Sequence, residues 1–244
     1  MNINKFQNLN ELFQWASYEG HTGIVELLLK DDRVDPSAND NYAIKWASYK
    51  GQCEAVKLLL RDPRIDPSAN NNIAIMDASC YGHYLVVKLL LQDGRIDPSA
   101  NDNHAIRYAS LNGHVEVVKL LLRDKHVNPS AFDNEAIRWA CGSCHTEVVR
   151  ILLEDSRVDP SVGDNWPIRN ASACGYIELV KLLLRDNRVD PSANDNEAIR
   201  LAKQNGHNEV VRCLNNWPDT VECISHTLTS SEYTYDLSPN PCNC

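Results

Sequence analysis

The chain repeats itself every 31 residues. The Val/Ile-Asp/Asn-Pro-Ser segment begins at Val34, Ile65, Ile96, Val127, Val158 and Val189, each 31 residues after the last. A second marker, Trp-Ala-Ser at Trp15 and Trp46, continues in register at Asp77, Tyr108, Trp139, Asn170 and Leu201. A fixed period of this size confines the fold to a stack of like supersecondary units, each burying its apolar face on its neighbours. A length of 244 residues would otherwise allow one or two globular domains. The period replaces them with one elongated array, and with helices packed roughly 8–10 Å apart six steps span about 50–60 Å.

Asn101 to Ala131 serves as the type unit. Asn103 offers a side-chain oxygen to the free amides of a first turn, which predicts an N-cap there. From His104 to Leu111, Ala105, Ile106 and Ala109 fall on one helical face. Asn112-Gly113 ends that helix, because glycine takes the left-handed C-cap at little cost. His114 to Arg123 reads as the second helix, with Val117, Val118, Leu120, Leu121 and Leu122 apolar and Glu116 and Lys119 facing water. The remainder is loop, interrupted by Pro129. Neither helix exceeds about ten residues, so neither is stable alone in water. Each must pack on the same helix of the next unit, which predicts that Leu59, Leu90, Leu121 and Leu152 are buried. Small alanines on the first helices and bulky Val and Leu on the second predict an array that bends, with the first helices on the concave side.

The unit resembles the ankyrin repeat. His104-Ala-Ile-Arg-Tyr-Ala-Ser110 is similar to ankyrin's Thr-Pro-Leu-His-x-Ala-Ala, and Gly113-His114 through Val117-Val118 to Leu121 is similar to its Gly-His-x-x-Ile-Val-x-x-Leu-Leu. The likeness covers roughly residues 8–216 in seven registered copies. The recurrent Asp-Pro-Ser-Ala-Asn-Asp-Asn wording most resembles the divergent ankyrin arrays of giant viruses and some protists. An ankyrin repeat is usually about 33 residues, and these are 31. The missing two fall in the finger loop, where a tight proline-containing turn is expected in place of a β-hairpin. The implied fold is all-α, an ankyrin-like solenoid of seven helix–turn–helix repeats with short finger loops. Residues 1–8 are a lead-in, 9–217 the repeat domain with its first and last units as caps, and 218–244 a disordered acidic Ser/Thr/Pro tail without Lys or Arg.

The formal charge of −9 argues against nucleic acid as the main partner. No run of 18 apolar residues predicts a membrane span, and the N-terminus lacks the apolar core of a signal peptide. Nine cysteines without such a signal point to free thiols in a reducing, cytoplasmic setting.

Several constellations could carry chemistry. Cys141-Gly-Ser-Cys144-His145 spells a haem-attachment or redox/zinc motif. His145, however, belongs to the Gly-His column of His21, His83, His114 and His207, and Cys144 stands where the other units have glycine, as at Gly113. This substitution is expected to break the helix connection of unit five, and zinc would need a further ligand such as Cys174. The column histidines, one per unit and about 10 Å apart, cannot share a metal; they read as structural hydrogen bonds near the interhelix turn. No metal and no cofactor is expected. Cys242-Asn-Cys244 resembles a doubly prenylated terminus, without other support. Lys45, Arg107, Arg138, Arg169 and Arg200 line one face of the first helices. They either hold neighbouring carboxylates or loop carbonyls, or form a basic stripe for an acidic segment.

The columns that vary within a constant frame point to a binding surface. Tyr42, His104 and Trp166 open first helices, Phe132 replaces a loop Asn, and Tyr18, Tyr49 and Tyr81 end first helices. Exposed aromatics at such positions are typical anchors. The partner-binding set is therefore Tyr18, Tyr42, Tyr49, Tyr81, His104, Phe132 and Trp166, with Arg107, Arg138 and Arg169 supplying charge to an acidic partner. Phe132 and Trp166 are expected to act together on the concave side of units four to six. The reading is a monomeric, non-enzymatic scaffold for a protein partner such as a host protein; the alternative is a substrate-recruiting adaptor for a ubiquitin ligase.

Overall fold

The computed structural model describes residues 8–217. The lead-in before Asn8 and the expected tail over 218–244 lie outside the described residues. The chain forms seven helix pairs in the 31-residue register. The first helices are α1 (Leu9–Glu19), α3 (Ala38–Tyr49), α5 (Ala69–Cys80), α7 (Ala100–Leu111), α9 (Ala131–Gly142), α11 (Val162–Cys174) and α13 (Ala193–Gln204). The second helices are α2 (Thr22–Leu29), α4 (Cys53–Arg61), α6 (Tyr84–Leu91), α8 (Val115–Leu122), α10 (Thr146–Leu153), α12 (Ile177–Leu183) and α14 (Asn208–Asn215). No strand occurs among the described residues, so the shortened fingers are turns, as expected. The core is one continuous column. Leu59, Leu90, Leu121 and Leu152 are all fully buried, as are Ile75, Ile106, Ile137 and Ile168 from the first helices. The first helices pack more closely on one another than the second helices do, because their contact faces are alanine and serine.

The start of each first helix departs from the expected N-cap. In units two to seven three consecutive residues adopt left-handed backbone, for example Asn101 (φ 52°), Asp102 (φ 54°) and Asn103 (φ 61°). Such a conformation costs roughly 1–2 kcal/mol for an ordinary L-residue, and Asn, Asp and Gly tolerate it best. The turn is folded from upstream: the Asp97 carboxylate accepts from both the Ser99 amide and its hydroxyl, at 2.9 and 2.6 Å. The Asn103 amide then donates to Ser99 O at 2.7 Å. Instead of capping its own helix, the buried Asn103 side chain accepts the Asn128 amide of the finger loop 25 residues on, at 2.6 Å. Asn41, Asn72, Asn134 and Asn165 make the same bond to Asp66, Asp97, Asp159 and Asp190.

Two further side-chain ladders join the units. His83, His114, His145 and His207 each place Nε2 2.8–3.0 Å from a carbonyl of the preceding unit, at Tyr49, Cys80, Leu111 and Ala173. Their rings lie against the left-handed glycines. A Cβ at Gly51, Gly82, Gly113 or Gly175 would meet the next histidine at 2.5–2.6 Å, so these positions need glycine for space as well as for φ. Arg64, Arg95, Arg157 and Arg188 form the other ladder. Each grips its own loop aspartate through two nitrogens and reaches back to two carbonyls of the preceding unit; Arg95, for example, reaches Ile65 O at 2.7 Å and Leu60 O at 3.0 Å. The joint between units three and four lacks this staple, because His126 stands in the arginine position and bonds only Asp124. Val34, Ile65, Val127 and Val158, which lie under an arginine, are 1–2% exposed, whereas Ile96 at this joint is only half-buried.

Unit five keeps the helix connection that its sequence was expected to break. Cys144 takes the left-handed conformation itself, at φ 58°. The residue facing it in the next unit is Tyr176, in a column that elsewhere holds histidine or, in unit two, Gln52.

Three measurements check this account. Leu121→Ala is expected to cost about 2–5 kcal/mol in urea unfolding, because the closed stack cannot collapse onto the void. His126→Arg should stabilise the array by about 1 kcal/mol, by supplying the charge-assisted bonds to Leu91 and Ile96 carbonyls that the other joints possess; no gain would show the staple to be energetically idle. Bonds from Arg64, Arg95, Arg157 and Arg188 hold Asp62, Asp93, Asp155 and Asp186 below the usual 3.8. Their stabilisation is complete above the unfolded value and is lost as pH falls through the lower folded values. The urea midpoint should therefore fall steeply between about pH 5 and pH 3, and less so in Asp62→Asn.

Candidate functional site

The half-buried column of Trp15, Trp46, Asp77, Tyr108 and Trp139 runs along the first-helix face. Its partial burial agrees with an aspartate being tolerated in it; burial pushes the Asp77 carboxyl up, against the opposing effect of Lys45. Residues three or four apart on these helices share a face. The rings therefore gather into two clusters.

The first spans units one to three. Trp46 lies at its centre, with Tyr18 at 5.8 Å, Tyr42 at 5.4 Å and Tyr49 at 5.1 Å between ring centroids. Tyr49 passes the chain of contacts to Tyr81 at 4.6 Å. Tyr42 and Tyr81 remain 37% and 49% exposed. All four sequence-identified tyrosines thus belong to one surface. Beside it, Glu11, Gln14, Trp15, Tyr18, Tyr42 and Trp46 line a cavity of about 470 Å³ between units one and two.

The second cluster spans units four and five. His104 stacks on Tyr108 at 3.9 Å, and Tyr108 meets Trp139 edge-on at 5.1 Å. Burial, with Arg107 nearby, lowers the His104 pKa and favours its neutral ring. Phe132 lies outermost, 56% exposed, with φ 51°. The Arg107 guanidinium sits 4.3 Å from the Phe132 ring centre and 5.5 Å from that of Trp139, and bonds Glu135 at 2.5 Å. Trp166 behaves differently from Phe132. It is half-buried against the core, with its ring over Gly142, so it has a packing role within unit six. The two aromatics expected to act as a pair are therefore unequal, and Phe132 is the exposed one.

Each of the three arginines in the candidate set has a carboxylate neighbour within the array. Arg107 pairs with Glu135, Arg169 with Glu197, and Arg138 lies 3.7 Å from Asp133. Arg107 is only 9% exposed. Glu135 and Glu197 were missed as members of the site. Their signal was present as a carboxylate 28 residues after each arginine. Trp15, Trp46, Tyr108 and Trp139 were legible as a column but not as the floor of the surface.

The Cys141–His145 motif divides among separate tasks. Cys141 is fully buried, and burial drives its thiol well above the ordinary range. Cys144 is exposed, and the His145 ring bonds Leu111 O at 2.9 Å. Among the described residues no group of three or more His, Cys, Asp or Glu is placed to hold a metal. No helix among them is long and apolar enough to cross a membrane.

No curated protein matches the chain. The family model described as ankyrin repeats, three copies long, matches residues 12–102 and again 75–164. Together with the seven registered helix pairs, this shows that the chain belongs to the ankyrin repeat family.

Proposed function

We propose that the array is a non-enzymatic scaffold that holds a protein partner on the first-helix face and the left-handed finger loops, centred on units four and five. Ankyrin repeats mark a protein–protein interaction domain. The observation that carries the finer reading is Phe132. It occupies a left-handed position that is unfavourable for a bulky residue, where sister units place Asn39, Asn70, Asn101, Gly163 and Asn194. Its ring is largely in water. A conformational cost borne by an exposed aromatic points to a role outside the fold. The cation–π contact with Arg107 orients the ring, and the Arg107–Glu135 pair fixes the arginine. Tyr42, Tyr49 and Tyr81 extend the same face toward the N-terminus. Arg107, Arg138 and Arg169 serve this surface by positioning rings and loops, since their charges are already met by carboxylates. The described cysteines are free thiols, which suits a monomer working in a reducing, cytoplasmic environment.

The test replaces Phe132 with the residue its sister units use. Phe132→Asn should leave the melting temperature unchanged or raise it by a few degrees. Capture of partners from a lysate should fall at least about tenfold, as for loss of an aromatic anchor. Capture at the wild-type level, or a melting temperature lowered by several degrees, would show that Phe132 serves packing.

A further inference from the structure

The arginine ladder of the finger loops repeats one binding geometry, and one joint keeps its acceptors without its donor. Arg64, Arg95, Arg157 and Arg188 each span three acceptors. One terminal nitrogen donates to the second carboxylate oxygen of the loop aspartate at 2.6–2.7 Å and to a leucine carbonyl of the preceding unit at 2.8–3.3 Å. The other donates to a valine or isoleucine carbonyl at 2.7–3.5 Å. Between units three and four the corresponding acceptors are Leu91 O, Ile96 O and Asp124 Oδ2. None of them has a hydrogen-bond partner among the described residues. His126 is too short to span them, and its Nδ1 lies 3.0 Å from Asp124 Oδ1. The His126 side chain is 62% exposed, against 35–41% for the four arginines, and Ile96 is half-buried. The C-terminal end of the array shows no such gap in bonding, because Trp217 Nε1 donates to Leu184 O at 3.4 Å.

We propose that this joint receives an arginine side chain of a protein partner, whose guanidinium bonds Leu91 O, Ile96 O and Asp124 Oδ2 and whose methylene stem covers Ile96. Two backbone carbonyls and a carboxylate oxygen in this register hold a planar, five-donor fork at each sister joint, a geometry that the compact ammonium of lysine does not match. Long basic side chains also bury their stems on apolar surface, which suits the half-open Ile96. The local charge agrees. Arg95 and Arg188 titrate above the ordinary arginine value, first through bonds to Asp93 and Asp186 and further through Asp66 and Asp159 of the preceding finger. Asp97 holds that place for the joint at His126. Arg123 lies three residues before His126, and Arg61 and Arg185 stand in the same relation to Arg64 and Arg188, so a cation there does not bar the fork. The net charge of −9 favours a basic segment at longer range. A protein source is favoured because the connection from α8 into α9 that carries His126 also carries Phe132. The proposal rests on the reading of the array as a protein-binding scaffold, and adds a polar contact of defined chemistry to it.

The test uses the full chain and the peptide acetyl-Gly-Arg-Gly-amide, with its citrulline and lysine counterparts. Titration is followed through the amide resonances of Gln92 and Asp97, whose peptide groups contain the Leu91 and Ile96 carbonyls. Citrulline keeps the shape of arginine and removes its charge. The arginine peptide should shift both resonances saturably and bind at least about tenfold more tightly than the citrulline peptide, and Asp124→Asn should weaken it. His126→Arg, which places the chain's own guanidinium on the same acceptors, should abolish binding while the circular dichroism melt is preserved. His126→Ala removes the ring and leaves the acceptors, so binding should be retained. Should His126→Arg fail to fold, the Asp124→Asn and citrulline comparisons decide. Equal binding of arginine and citrulline, full binding by folded His126→Arg, or loss of binding in His126→Ala would overturn the proposal. Equal binding of lysine would overturn the choice of a guanidinium. Free L-arginine binding at least about tenfold more tightly than the peptide would make a small molecule the ligand, and would overturn the protein source. Because Phe132-dependent capture is measured separately, absence of the arginine contact alone leaves the scaffold reading standing, whereas absence of both removes it.

Discussion

Helices of seven to thirteen residues cannot hold themselves in water, so the order of this chain resides in its joints. Apolar stacking provides the bulk of each joint, through fully buried positions such as Leu90, Val118 and Ile137. Stacking of smooth faces does not by itself choose a register. The shortened finger sharpens that difficulty. A β-hairpin finger would satisfy its own amides and carbonyls, and could pair with the finger beside it. Without strands, the loop groups need other partners. Three side-chain ladders provide them: asparagine accepting a loop amide 25 residues on, arginine reaching carbonyls 30 and 35 residues back, and histidine bonding a carbonyl 34 residues back. Each bond is directional and satisfied only when neighbouring units are in step, so the ladders specify register where stacking specifies only contact.

These ladders also explain which parts of the structure were legible in the amino-acid sequence. Helix pairs, buried leucines and the half-buried Trp/Tyr column follow from hydrophobic spacing, which depends on the chain's own periodicity. The left-handed turn does not show in such a pattern. Asn101-Asp102-Asn103 reads at first as a loop ending in a cap, because a single Asn before a helix ordinarily bonds its own first turn. The signal was the triplet: three successive residues in nearly every unit drawn from Asn, Asp and Gly, the types that accept positive φ. The destination of the Asn103 side chain was beyond sequence reasoning, since the amide it accepts lies in a finger loop 25 residues on. Trp166 illustrates the same limit. Its partner is the bare surface of Gly142, a contact set by three-dimensional adjacency.

Places where the repeat deviates reveal which deviations are coupled. Cys144 adds a side chain where sister glycines must leave space for the next histidine ring, and the following unit has exchanged that histidine for Tyr176. The two departures fall at one joint, where contacts are confined to neighbouring units. Phe132 differs: it keeps the left-handed backbone with its ring more than half exposed, and its partner within the fold is the Arg107 guanidinium 4.3 Å from the ring centre. His126 is a third kind of deviation, a staple lost without replacement, which leaves Ile96 partly open.

Charge separates the two ends of the first-helix surface. A row of arginines on one face suggests a basic groove when the residues are counted alone. Glu135 and Glu197 cancel that field at Arg107 and Arg169, and Asp133 approaches Arg138. Paired charges of this kind orient side chains but offer little to an incoming anion, whose approach would have to displace a carboxylate already held at contact distance. Toward the N-terminus the same column reads Met76, Lys45 and Gln14 in place of the arginines. There the rings take their cations from lysine, with Lys45 Nζ 5.4 Å from the Trp46 centroid and Lys50 Nζ 4.7 Å from that of Tyr18. The surface therefore meets its rings with its own cations at both ends, a guanidinium held by carboxylates at one and ammonium groups over tyrosine and tryptophan at the other.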